Sequence, residues 1–295
     1  MTELKPVTPD VLLHISKTLQ VPMKGLVASI GLLDEGGTVP FIARYRKEAT
    51  GKLDEVQIRS IAEKMAYFRE LQDRRTTVLA SIEEQGKLTP ELRARIEAAL
   101  EKSELEDLYL PYKPKRRTKA TVARAKGLEP LAVYLWEQRP SDTPLAEFAA
   151  SFVNAELGVA NVDEALEGAR HILAERISEH ADIRKRIRER MMAEGVIISR
   201  KIDEAEDAEQ KFLMYYDYRE PAKSIPSHRM LAIRRGENDK ILHFTIELEP
   251  ARALALIKSQ IHKRPGDWTQ QLELACEDAW KRRSKLRSKA RSASS

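Results

Sequence analysis

Residues 53–86, LDEVQIRSIAEKMAYFRELQDRRTTVLASIEEQG, decide the architecture. Ile58, Ile61, Met65, Phe68, Leu71, Val78 and Ile82 recur at three- and four-residue steps, with one two-turn step of seven, which puts them on one face of an α-helix. Leu53-Asp54 marks its start and Gly86 its end. At 1.5 Å per residue such a helix runs roughly 45 Å. The composition agrees with a mainly helical chain. Of 295 residues, 42% are hydrophobic and 33% charged, while Gly (12) and Pro (14) are too few for a glycine-rich phosphate-binding sheet enzyme or a turn-dense all-β protein.

Toward the N-terminus, Thr8-Pro9-Asp10 reads as a cap, a helix-starting proline and a first-turn acid. Val11, Leu12, Ile15 and Leu19 then share a face. Leu26, Ile30 and Leu33 mark a second short helix, ended by Gly36-Gly37, and Pro40 turns the chain into FIARYRKE. Three short helices with tight turns are compatible with a helix-turn-helix.

Toward the C-terminus, Thr89-Pro90-Glu91 opens a helix striped by Leu92, Ile96 and Leu100. LYLPYKPKRRTKATVARAKG, with its two prolines, is expected to be an extended loop. Further helices are expected at 131–137, at 144–157, after the cap Asn161, and around Ile183, Ile187 and Met191. The period changes at 241–248, where alternation predicts a strand, its partner placed near 196–199. Pro250 starts a helix to about Ile261, and a last helix is expected from about Trp268 to Trp280.

The expected fold is therefore mainly α: an elongated helical assembly with a small β element near 241–248. Its parts are a helix-turn-helix-like region (1–52), a helical domain with the long helix and basic loop (53–200), an α/β continuation (201–280) and a basic, serine-rich, disordered tail (281–295).

One cysteine, Cys276, excludes an internal disulfide framework and favours a reducing cytoplasm. The uncharged run between Lys24 and Asp34 is far short of a membrane span, and the first ten residues hold no apolar signal core. A cytoplasmic protein without membrane contact is expected.

Charge is unevenly placed. The net value is +5, yet the last fifteen residues hold seven bases and no acid, and residues 111–128 hold another seven bases and no acid. Setting aside the first group leaves −2, and setting aside both leaves −9. Two basic clusters thus sit on an acidic body, and clusters are the better indicator of polyanion binding.

Signals for chemistry are weak. No phosphate-binding glycine loop, zinc-protease helix or nucleophile elbow occurs, and the six histidines are dispersed. No catalytic residue, metal or cofactor is expected. Cys276 reads as a buried structural thiol, and Glu104, Glu106 and Asp107 as a solvated acidic helix end. Arg184, Lys185, Arg186, Arg188 and Arg190 read as a solvated helix face, and Tyr215, Tyr216 and Tyr218 as packing residues.

Two basic stretches remain. Lys113, Lys115, Arg116, Arg117, Lys119, Arg124 and Lys126 follow Tyr109 and Tyr112. Cations neutralise phosphates and an adjacent ring stacks on a splayed base, but the same bases can equally pair with the chain's own acids. Arg44, Arg46, Lys47 and Lys52 form the second stretch. They suit a nucleic-acid backbone, although the reading that leads is that Phe41, Ile42 and Tyr45 are core residues and the bases merely exposed.

Four blocks, LLDEGGTVPFIARYRKEATGKLDE, LEDLYLPYKPKRRTKATVARAKGLEPLA, ARHILAERISEHADIRKRIRE and KFLMYYDYREPAKSIPSHRMLAIRRGE, resemble the N-terminal half of the Tex family of bacterial transcription accessory proteins. The resemblance runs from about Pro9 to Trp280. It implies an N-terminal helix-turn-helix region and a long central helix, followed in the family by RNase H-like, helix-hairpin-helix and OB-type RNA-binding domains. It also implies RNA or single-stranded nucleic-acid binding and a role in transcription. This chain stops before those later domains. After Trp280 the family continues with a leucine-rich helix, whereas here the sequence turns basic and serine-rich, as expected of a truncated gene, a frame-shifted gene or an artificial chain end.

The expected function is non-catalytic, sequence-nonspecific binding of RNA or DNA phosphates through Arg44, Arg46, Lys47, Lys113, Lys115, Arg116, Arg117, Lys119, Arg124 and Lys126, with Tyr112 stacking. The alternative is a helical scaffold contacting RNA polymerase or other transcription machinery, or a truncated product with little activity.

Overall fold

The computed structural model describes residues 8–292 except Arg116, Glu204 and Ala208, with side chains described as far as Arg282. They fall into two compact units that divide between Tyr112 and Lys113.

The first unit is all helical: α1 (Pro9–Leu19), α2 (Met23–Asp34), α3 (Val39–Tyr45), α4 (Lys47–Thr50), α5 (Glu55–Glu84), α6 (Pro90–Ala98) and α7 (Lys102–Tyr109), closed by a 3-10 turn at Leu110–Tyr112. α5 is the long helix that the sequence predicts. A capping box fixes its start: the Asp54 carboxylate accepts from the Gln57 N–H, and the Asp54 N–H donates to Gln57 Oε1. Gly86, at φ 65°, takes the left-handed conformation that stops it. All seven stripe residues are buried, and α1, α2, α3, α6 and α7 pack against this helix.

The second unit contains α8 (Lys119–Ala125), α9 (Glu129–Glu137), α10 (Leu145–Ala150), α11 (Val162–Glu179), α12 (Ala181–Glu194), β1 (Val196–Lys201), β2 (Asp217–Pro221), α13 (Ser227–Asn238), β3 (Leu242–Glu247), α14 (Pro250–Ile261) and α15 (Thr269–Ser292). α11 is its axis. Nine of its residues are buried, against α8, α9, α10 and α15. Close packing is built in at Gly168, where an added Cβ would lie 2.2 Å from Leu128 Cδ1. The strands form an antiparallel sheet of order β2-β1-β3, with Ile197 opposite Ile246 and Ser199 opposite Phe244. α13 covers one face around Ile197, Ala222 and Ile233, and Tyr215 and Tyr218 pack there as expected.

Several expectations need correction. Half of the expected extended loop is helix: Thr118 and Thr121 make a capping box for α8, Ala120 and Ala123 are buried, and Gly127 at φ 79° follows its end. The proline argument fails already at Pro111, since Leu110 before it is helical at φ −51° and ψ −41° and Pro111 itself lies in the 3-10 turn. The helix expected at 144–157 stops at Ala150, because the backbone turns back to pair Asn154 with Val159. The final helix continues past Trp280 to Ser292, since no proline or glycine interrupts a run of good helix formers. β2 was not foreseen, being short and half-exposed. Glu106 and Asp107 are not a solvated end: Glu106 bonds Arg74 and Asp107 is buried. The foreseen partner strand at 196–199 is present as β1. Cys276 is fully buried, and burial pushes its thiol pKa up to about 12, which removes it as a nucleophile.

Candidate nucleic-acid interface

The second unit begins with the basic stretch 113–126, and α11 answers it with carboxylates. Lys115 Nζ lies 3.2 Å from Glu175 Oε1 and 2.7 Å from Glu179 Oε2. Arg124 reaches Glu175 at 2.8 Å with one nitrogen and Glu129 at 2.7 Å with another. The Thr118 hydroxyl donates to the second Glu175 oxygen. Glu175 is 7% exposed, so this is an inward-facing network rather than a surface pair. Burial alone would raise its pKa, but Arg124 and Lys115 together hold it below the ordinary carboxylate value. Glu179 moves the other way: burial raises it, and the bond from Lys115 does not offset that.

Lys126 is also engaged, donating to the Gly158 carbonyl at 2.6 Å. Lys113 has a partner within the chain. Tyr112 is half-buried, and its carbonyl accepts from Gln85 Nε2. Arg116 lies outside the described residues. Arg117 and Lys119 stay exposed, on the rim of a groove of about 630 Å³ between α8 and α11. That groove also holds Glu164, Glu167 and His171, so its charge is mixed. His171 is held below its ordinary pKa by burial, then by Lys119 and Arg282. No group of histidine, cysteine and carboxylate side chains suited to a metal occurs among the described residues.

The first unit treats its basic stretch differently. Thr38 caps α3 by accepting from the Phe41 N–H, and Pro40 sits in the first turn. Ile42, fully buried, and Ala43 anchor this short helix, which packs on α5. Helical spacing then turns Phe41, Arg44 and Tyr45 outward together. Phe41 is 43% and Tyr45 63% exposed, so of the three residues expected in the core only Ile42 is there. The two rings lie 5.4 Å apart, tilted by 43°, and the Arg46 guanidinium sits 5.5 Å over Phe41. Arg44, Arg46 and Lys47 are exposed, and none has a carboxylate partner among the described residues.

The turn carrying these bases is fixed from below. The buried Thr50 hydroxyl donates to the Arg46 and Lys47 carbonyls, each at 3.3 Å. Gly25 of α2 approaches so closely that an added Cβ would lie 2.5 Å from the Thr50 carbonyl oxygen. The exposed aromatic pair was not foreseen. Its signal lies in the four-residue spacing of Phe41 and Tyr45, which puts the two rings together on the face opposite Ile42 and Ala43.

Comparison with known proteins places both units. The Tex-like protein N-terminal domain matches residues 9–83, and the Tex central region-like domain matches residues 139–293. The chain belongs to the Tex family. It is 48% identical over 236 residues to the transcriptional accessory protein Tex of Neisseria gonorrhoeae, covering 80% of this chain and 31% of that one. To protein YhgF of Escherichia coli it is 47% identical, covering 80% and 30%. The human S1 RNA-binding domain-containing protein 1 is 30% identical over 228 residues, covering 74% and 22%. The chain thus spans under a third of the length of these relatives. Among the described residues no helix is long and apolar enough to cross a membrane.

Proposed function

We propose that this Tex-family chain is a non-catalytic, cytoplasmic nucleic-acid-binding module whose contact surface is the α3–α4 turn. The carrying observation is the pairing of exposed rings with bases that have no carboxylate partner among the described residues: Phe41 and Tyr45 beside Arg44, Arg46 and Lys47. Bases neutralise backbone phosphates without reading sequence, and rings stack on unpaired bases. The names of two relatives, a transcriptional accessory protein and an S1 RNA-binding domain-containing protein, support an RNA-related role.

The stretch 113–126 contributes little in this reading, because Lys115 and Arg124 are already neutralised by Glu175, Glu179 and Glu129. That observation also favours a second role, as a scaffold whose basic residues serve folding while other surfaces contact transcription machinery.

The test is a salt titration of the chain against labelled single-stranded RNA. Replacing Arg44, Arg46 and Lys47 by alanine is expected to reduce the log–log slope by about 2 units, near 0.7 for each phosphate no longer neutralised. An unchanged slope removes the turn from the interface and leaves the scaffold role.

A further inference from the structure

The sheet of the second unit leaves the outer face of α13 uncovered by the residues that pack its inner face. On the inner face Ile233 is buried, and Gly236 lies so close to β3 that an added Cβ would sit 2.5 Å from Leu242 Cδ1. That seat fixes the orientation of the outer face. Three- and four-residue steps align His228, Leu231 and Arg235 in one row, with Arg234 beside it. All four are exposed, and Leu231 is 68% exposed.

The arginines of this row differ from their neighbour. Arg229 is held by Glu220 and the Tyr218 hydroxyl. Arg234 and Arg235 have no carboxylate partner among the described residues. An aliphatic side chain set among unengaged arginines narrows the choice of occupant. Phosphates would use the arginines and leave Leu231 idle, whereas an acidic helix with apolar anchors uses both.

We propose that the row His228–Leu231–Arg235, with Arg234, is a docking surface for an acidic, amphipathic segment of a partner protein. The apolar anchor covers Leu231 and the carboxylates meet the two arginines. This rests on residues other than those of the α3–α4 turn and stands whether or not that turn binds RNA.

The test uses the full chain and three labelled probes: an acidic helical peptide with leucines four residues apart among glutamates, the same peptide with serines for leucines, and a single-stranded RNA. The leucine peptide is expected to bind and to weaken with salt, and the serine peptide to bind at least about tenfold less tightly. Leu231→Ser is expected to cost about tenfold, and Arg234→Glu with Arg235→Glu to abolish peptide binding. Unchanged circular dichroism and melting in these surface variants show that the fold is intact. Equal binding of both peptides, or binding of neither, overturns the proposal. So does RNA binding that the two arginine reversals abolish while the peptides fail to bind, which would give the face to nucleic acid.

Discussion

Residues 41–52 and 113–126 look alike as strings, each setting lysines and arginines near aromatic rings. Folded, they have opposite surroundings. The later stretch lies along α11, where Glu175 and Glu179 take Lys115 and Arg124. The earlier one turns Arg44, Arg46 and Lys47 outward beside Phe41 and Tyr45, and among the described residues none of the three is ion-paired. A run of bases in a sequence counts charges; only the fold shows which charges are already spent. The denser cluster is the one engaged, because a cluster of bases also attracts the chain's own acids.

The largest effect that sharpens this contrast is on stability. Glu175→Ala removes the buried carboxylate that Lys115 and Arg124 share, leaving Lys115 with Glu179 and Arg124 with Glu129, and takes the acceptor from the Thr118 hydroxyl. The expected loss is about 3 kcal/mol, read as a melting temperature lower by several degrees, with RNA affinity unchanged. A variant that melts normally but binds RNA more tightly, its freed bases now available, would erase the distinction between the two stretches.

Next comes stacking. Phe41→Ala with Tyr45→Ala is expected to weaken single-stranded RNA by about 2 kcal/mol while leaving binding to a duplex of equal charge nearly unchanged. Measured side by side with the Arg44, Arg46 and Lys47 variant, this separates rings from charges. Equal losses on single strand and duplex would mean that the rings only hold the turn in place.

How much of this was readable in the sequence depends on the separation of the partners. The α5 stripe, its Asp54 start and its Gly86 stop are each local signals, read from residues within a turn or two of one another, and the structure reproduces them. The β1–β3 pairing came from a period change plus the need of a strand for a neighbour. The ion pairs of Lys115 span 60 and 64 positions and follow no local rule. One clue was present. Glu175 and Glu179 stand four apart on a helix, a like-charge pair that destabilises unless a base comes between them. Lys115 is that base. At α3 the difficulty is of another kind: Phe41, Ile42 and Tyr45 look like one apolar group in sequence, but a helix anchored by Ile42 and Ala43 together turns the other two away.

Acid adds a smaller distinction. The Glu175 pKa is depressed on folding, so its contribution is present above the ordinary value of 4.5 and is lost as pH falls below it. Glu179 is raised, and its contribution runs the opposite way, so the net change is modest. The parent chain is expected to lose melting temperature on acidification below that value more steeply than Glu175→Gln. Parallel curves would mean that Glu175 is not held by its two bases in solution.

The smallest effect tests the boundary between the two classes. Arg117 and Lys119 belong by sequence to the engaged stretch but by structure to the unengaged bases, exposed on the groove beside α8. Glu164 and Glu167 line that same groove, and their field opposes an incoming phosphate. Arg117→Ala with Lys119→Ala is therefore expected to lower the salt slope by less than about 1 unit and to leave melting within about 1 °C, since neither side chain has a carboxylate partner among the described residues. A fall as large as that from removing Arg44, Arg46 and Lys47 would show that exposure alone, without adjacent rings and whatever acids stand nearby, is enough to recruit the polyanion. The interface would then extend along α8, and the contrast between the two stretches would shrink to the bases held at Lys113, Lys115, Arg124 and Lys126.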